Sequence, residues 1–214
     1  GSVDRQPAAR STMLTLFDFE GSGNGYKVRL ALHRLGMPYA LVPVDILRGE
    51  SRTPAFLALN PNGKIPVLRL ADGTVLTESN AILWYLAEGT SLLPEGRLPR
   101  ARVLQWMFFE QYSHEPAIAV ARFIRHFLAA DHPRRAELAG LEARGRAALA
   151  VMDDHLRDRP FLVGDAASIA DLALFAYTHV ADEGGFDLAA YPAVRGWLAR
   201  IAGQPGHVPI SGAG

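Results

Sequence analysis

Cysteine is absent from all 214 residues. That excludes disulfides, thiolate metal sites and a nucleophile that is the protein's own thiol. Any sulfur chemistry must be brought by a ligand. An excess of charge of one sign is missing too: Lys+Arg and Asp+Glu both number 22, for a net charge of zero. No basic field is available to a polyanion, so nucleic acid is not an expected partner. Long apolar runs are missing as well. No stretch reaches 18 apolar residues, and no basic segment leads into an apolar run with a cleavage site. Neither a membrane span nor a signal peptide is expected, and the cytosol is the default location.

What is present is ample apolar material, 49% of residues, enough to pack one large domain or two small ones. Residues 1–12 have no periodicity and open on Gly-Ser. They read as a tag or extension, with the native start at or near Met13. Leu14-Thr15-Leu16-Phe17 is a short strand, followed by the glycine-rich turn Gly21-Ser22-Gly23-Asn24-Gly25. Val28, Leu30, Ala31, Leu32 and Leu35 then lie on a helix that Gly36 and Pro38 terminate. The turn is not GxGxxG, so a dinucleotide site is not indicated. Tyr39 to Asp45 reads as a second strand, and Pro54 to Leu59 as a short helix.

The most informative stretch runs from Asn60 to Leu86. Asn60-Pro61-Asn62-Gly63 is a turn, and Val67–Leu70 and Thr74–Leu76 form a hairpin around Asp72-Gly73. Pro66 stands at the mouth of the hairpin, where a missing N–H is tolerated. Composition favours a trans Ile65-Pro66 bond. A helix opens near Ser79, and its first N–H groups and dipole favour a carboxylate there. On these grounds alone, Ser79 is equally a helix cap and Glu78 a favourable first-turn charge.

Strand, helix, strand, helix, hairpin, helix is the thioredoxin-like order. Residues 89–98, with Gly89, Pro94 and Gly96, mark a linker. Beyond it only helical patterns occur. Val103 to Phe109 and Ala117 to Leu128 carry two helices divided or kinked at Pro116. A third stripe runs from Leu138 to Leu156. Ser168-Ile169-Ala170-Asp171 is a capping box before an all-apolar run, the expected central helix, and Tyr191-Pro192 opens the last. The fold class is therefore an α/β thioredoxin-like domain over 13–88 followed by an all-α helical domain over 99–214. The tail after Gly203 has no assignment.

Asn60-Pro-x-Gly-Lys-Ile-Pro66, the hairpin, and Glu78-Ser79 opening a helix together resemble the glutathione S-transferase superfamily, over roughly Met13 to Gly203. The resemblance implies that Ile65-Pro66 is cis, with the Ile65 backbone pairing to the cysteinyl part of glutathione. It implies that Glu78 and Ser79 hold the γ-glutamyl end, and that Lys64 and Arg52 are candidates for the glycine carboxylate. Either cation also reads as a solvated surface charge. It further implies a twofold homodimer.

A free thiol has a pKa of about 8.5, so it needs donors aimed at its sulfur to be a thiolate near neutral pH. Ser22 and Asn24 at the glycine-rich turn are the candidates, and the resemblance to serine-type members favours Ser22. Some bacterial members place a threonine and an asparagine at this spacing, which leaves the choice between them open. Ser22 also reads as an ordinary cap. Tyr26 lies inside the helix and is assigned to packing. Phe109, Tyr112, His114 and Arg122 are candidate contacts for a second substrate, although an aromatic stripe at helical spacing also reads as core. His114 has no ligand set around it, so no metal is expected.

Three functions fit, of which the resemblance favours the first. The first is conjugation of glutathione to a small apolar electrophile. The second is glutathione-dependent reduction of disulfides or peroxides. The third is a glutathione-binding scaffold without catalysis.

Overall fold

The computed structural model describes residues 13–212, so the expected extension 1–12 lies outside the described residues. Four strands, β1 (Leu14–Asp18), β2 (Tyr39–Pro43), β3 (Val67–Arg69) and β4 (Val75–Thr77), form one mixed sheet in the order β2-β1-β3-β4. β1 runs parallel to β2 and antiparallel to β3, with Leu16 opposite Leu68 and Phe17 opposite Val67. Because side chains alternate along a strand, Leu16 and Phe17 feed different cores. Leu16 and Leu68 face the cluster that holds Leu30, Leu83 and Trp106, whereas Phe17 and Val67 pack with Phe56 on the other side.

The helices of the first domain are α1 (Gly23–Arg34), α2 (Pro54–Leu59) and α3 (Ser79–Ala87). α1 sits unusually tight against the strand end and the second domain, and two glycines permit it. A Cβ on Gly25 would stand 1.6 Å from Asp18 Oδ1, and one on Gly23 2.5 Å from the Tyr177 ring. Both approaches are far inside van der Waals contact, so the Gly-x-Gly spacing here is steric.

The second domain comprises α4 (Arg97–Phe109), α5 (Glu115–Arg122), α6 (Leu138–Leu156), α7 (Ile169–Thr178) and α8 (Pro192–Ala202). The division expected at Pro116 takes the form of a wide π turn over Glu110–His114, which hands α4 to α5 with Pro116 in the first turn of α5. The N–H of Glu115, the first residue of α5, still bonds back across the wide turn to Glu110 O, and Pro116, which has no N–H, follows it. Every residue of α7 is buried, as its all-apolar pattern requires.

Its capping box is present: Ser168 Oγ accepts from Ala170 N at 3.2 Å, and Asp171 Oδ2 accepts from Ser168 N at 2.9 Å. One apolar cluster runs without interruption from Leu68 through Leu30 and Leu83 to Trp106, Leu172 and Trp197, so the two domains share a core. The tail lies along α1, with the Tyr26 hydroxyl donating to Val208 O and Arg29 Nη2 to Ile210 O at 2.7 Å. No helix among the described residues is long and apolar enough to cross a membrane.

Candidate functional site

Three segments of the first domain and one of the second converge on a polar crevice of about 270 Å³. Asn24 comes from the first turn of α1. Asn60, Asn62, Lys64, Ile65 and Pro66 come from the turn before β3, and Glu78 and Ser79 from the start of α3. Gln111 and Glu115 come from the π turn and α5. Of these ten residues only Ile65 and Pro66 are apolar.

The turn before β3 is built by Asn60. Its buried side chain donates to Lys64 O at 2.8 Å and accepts from Asn62 N at 3.1 Å. The Ile65-Pro66 bond is cis, in accord with the resemblance and against the preference of composition. Glu78 carries φ +67°, a conformation that non-glycine residues avoid. Strain of about 1–3 kcal/mol at such a residue occurs where the chain turns from β4 into α3, at the lip of the crevice.

Asn24 Oδ1 accepts from Ser79 Oγ at 3.3 Å and from Gln111 Nε2 at 3.5 Å. Glu115 also bonds Asn24. Its carboxyl is pushed above the usual range mainly by burial and then by the Glu110 charge, against the pull of Lys27, Lys64 and the Asn24 bond. Beneath the crevice Lys27 is fully buried and donates to Ser79 Oγ and Asn80 Oδ1, each at 3.3 Å, and to Glu110 Oε1.

The sequence candidates divide. Asn24, Lys64, Ile65, Pro66, Glu78 and Ser79 come together in the crevice. Ser22 is not among its lining residues. It is 9% exposed, and its Oγ caps α1 by accepting from Gly25 N at 3.5 Å. Tyr177, whose phenol burial raises well above its ordinary value, bonds Ser22 and takes Asn24 N at 3.2 Å. Arg52 lies just outside, its guanidinium against Gly63.

Phe109 and Tyr112 line a separate groove of about 680 Å³ beside α6, shared with Val151. His114 and Arg122, the other two candidate contacts for a second substrate, line neither this groove nor the crevice. His114 is fully buried with Nε2 on Thr178 Oγ1 at 2.8 Å, and burial followed by the Lys27 charge pushes its pKa down to about 3. Arg122 is buried, paired to Glu183 at 2.6 Å and donating to Gly21 O at 2.7 Å, so it props the β1–α1 turn from behind. His114 thus faces Thr178 of α7, and Arg122 faces Glu183 and the turn before α1.

Sequence reasoning missed Gln111, Glu115, Lys27 and Glu110. A lysine and a glutamate 83 positions apart carry no local signal of their pairing. Among the described residues no group of His, Asp or Glu could hold a metal ion.

The fold matches known proteins over most of the chain. The family models described as "Glutathione S-transferase, N-terminal domain" and "Glutathione S-transferase, C-terminal domain" match residues 21–88 and 135–200. A crystal structure of a glutathione S-transferase from Pseudomonas fluorescens Pf-5 is 55% identical. It superposes with a TM-score of 0.90 over 92% of this chain and 98% of its own. The disulfide-bond oxidoreductase YfcG of Escherichia coli K12 is 34% identical over 90% of this chain and 92% of that protein. A glutathione transferase of Burkholderia graminis, solved with two glutathione molecules bound per subunit, is 30% identical. Its TM-score is 0.82 over 94% of this chain and 88% of its own. The chain therefore belongs to the glutathione S-transferase family.

Proposed function

We propose that the chain binds glutathione in the polar crevice and uses its thiolate to reduce small disulfides. The observation that carries this reading is the convergence of Asn24, Ile65-Pro66 and Glu78-Ser79 in one crevice. The γ-glutamyl end lies at Glu78 and Ser79, where the α3 N-terminus attracts its carboxylate. The cysteinyl backbone pairs with Ile65, the glycine carboxylate lies toward Lys64 with Arg52 beside it, and the sulfur meets the Asn24 amide. An amide donates but takes no proton, so Asn24 stabilises the thiolate without acting as base.

The bound thiolate attacks one sulfur of the disulfide, forming a mixed disulfide, and the departing thiolate takes up a proton. A second glutathione thiolate then attacks the mixed disulfide, giving oxidised glutathione and the second thiol. Both thiols come from ligands, as the absence of cysteine requires. The polar lining suits the tripeptide, and the two relatives named for disulfide oxidoreduction and for two bound glutathiones support disulfide chemistry.

Conjugation to an apolar electrophile is the second reading, favoured by the groove at Phe109 and Tyr112. The chain acts as a homodimer in either case. The apolar hollow of about 620 Å³ formed by Trp84, Leu104, Met107 and Phe108, with Phe108 70% exposed, supports this face as the seat of the second copy.

Turnover with 2-hydroxyethyl disulfide and with 1-chloro-2,4-dinitrobenzene, both at saturating glutathione, separates the readings. The disulfide is expected to react at least about 10-fold faster, the margin that a correctly placed partner provides. The reverse order selects conjugation, and no turnover of either while glutathione binds selects the scaffold.

A further inference from the structure

We propose that Lys27, held by Glu110, is a positioning residue that fixes which end of the Asn24 amide faces the glutathione sulfur. The proposal rests on the reading that the sulfur meets Asn24.

Lys27 lies one turn after Asn24 on α1 and is fully buried. An ammonium has donors only. Ser79 Oγ, 3.3 Å from Lys27 Nζ, must therefore accept from it. The one proton of the Ser79 hydroxyl is then free to go to Asn24 Oδ1, also at 3.3 Å.

Glu110, an ionised acceptor, imposes the opposite polarity. It accepts from Lys27, from Asn80 Nδ2 at 3.2 Å, and from Gln111 Nε2 at 2.9 and 3.3 Å. Gln111 must present nitrogen to that carboxylate, and the same nitrogen lies 3.5 Å from Asn24 Oδ1.

Asn80 checks the scheme. Its oxygen faces the ammonium at 3.3 Å and its nitrogen faces the carboxylate, the one orientation two fixed charges allow. The Asn24 oxygen is thus held from two sides by donors, and its NH2 is what remains for the crevice, where it meets the Glu115 side chain. Reversed, the amide would aim an oxygen at the thiolate and oppose its formation. The polarity at the sulfur is set by an ion pair that spans the two domains, and neither partner touches the crevice surface.

The test compares wild type with Lys27→Met/Glu110→Gln, which removes both buried charges together so that neither is stranded. Two readouts are taken: the thiol pKa of bound glutathione from thiolate ultraviolet absorbance, and the affinity for S-methylglutathione, which has no ionisable thiol. The double variant is expected to raise the thiol pKa by about one unit, a tenfold loss of thiolate at a fixed pH below it, while S-methylglutathione affinity stays within about 3-fold. A structural defect alone would weaken both.

Gln111→Leu alters one neutral side chain at the crevice edge and gives a smaller rise in the same direction. It decides the matter if the double variant fails to fold. An unchanged thiol pKa in a variant that still binds S-methylglutathione overturns the proposal. Failure of the wild type to bind S-methylglutathione overturns the glutathione reading, and this proposal with it.

Discussion

Asp171→Ala is expected to cost about 4 kcal/mol or more of stability and to lower the melting temperature by roughly 10 °C. Asp171 is fully buried where α7 begins and is the acceptor for three buried N–H donors from three places in the chain. These are Leu162 N at 3.0 Å, Ser168 N at 2.9 Å and Trp197 Nε1 at 2.8 Å. Truncation leaves each donor without a partner in the interior, at about 1–3 kcal/mol apiece, and it also breaks the capping box at about 1 kcal/mol. Against the 5–15 kcal/mol that holds a typical domain, that sum decides whether α7 and α8 stay docked. For a chain of this size each kcal/mol shifts the midpoint by about 2–4 °C. Thermal unfolding followed by circular dichroism measures the effect. A loss below about 1 kcal/mol would mean that water or another acceptor replaces the carboxylate. Burial pushes that carboxyl upward while its four hydrogen bonds pull it back down. What the site requires is thus acceptor atoms in this geometry more than a charge.

Asn24→Ala is expected to lower kcat/KM for the glutathione-dependent reaction by about 10- to 100-fold, somewhat less than loss of a donor from a fully enclosed oxyanion site. The KM for glutathione should change little, because the γ-glutamyl anchor proposed at Glu78 and Ser79 stays in place. Ser22→Ala should behave differently. The Ser22 hydroxyl caps α1 and does not line the crevice, so its loss costs about 1 kcal/mol of stability and less than about 3-fold in rate. Steady-state kinetics on the two variants, beside their unfolding curves, checks the pair. If Ser22→Ala is the catalytic cripple and Asn24→Ala the mild one, the sulfur lies against the hydroxyl and the crevice has been assigned to the wrong donor.

The contrast between Ser22 and Asn24 shows what was legible in the sequence. Features encoded by neighbours could be read directly: the Asp-Gly hairpin, the capping box at Ser168, and the Glu78-Ser79 helix start beside Pro66. Each depends on residues a few positions apart, where turn chemistry and capping act. Features that depend on docking could not. Lys27 in a helical run reads as a surface charge until Glu110 meets it from the other domain. His114 and Arg122 fall on a plausible substrate face by spacing. In the structure both point inward, His114 from the π turn against Thr178 and Arg122 from the end of α5 against the Gly21 carbonyl. The tail carries no periodicity, and it is placed by carbonyls that the Tyr26 and Arg29 side chains hold.

A crystal structure of the chain with bound glutathione tests the central claim most directly. The account predicts the tripeptide in the crevice, its γ-glutamyl carboxylate at the start of α3, its cysteinyl backbone along Ile65, and its sulfur within hydrogen-bonding distance of Asn24 Nδ2. Glutathione seated elsewhere, or a sulfur turned away from the Asn24 amide in an otherwise occupied crevice, would contradict it.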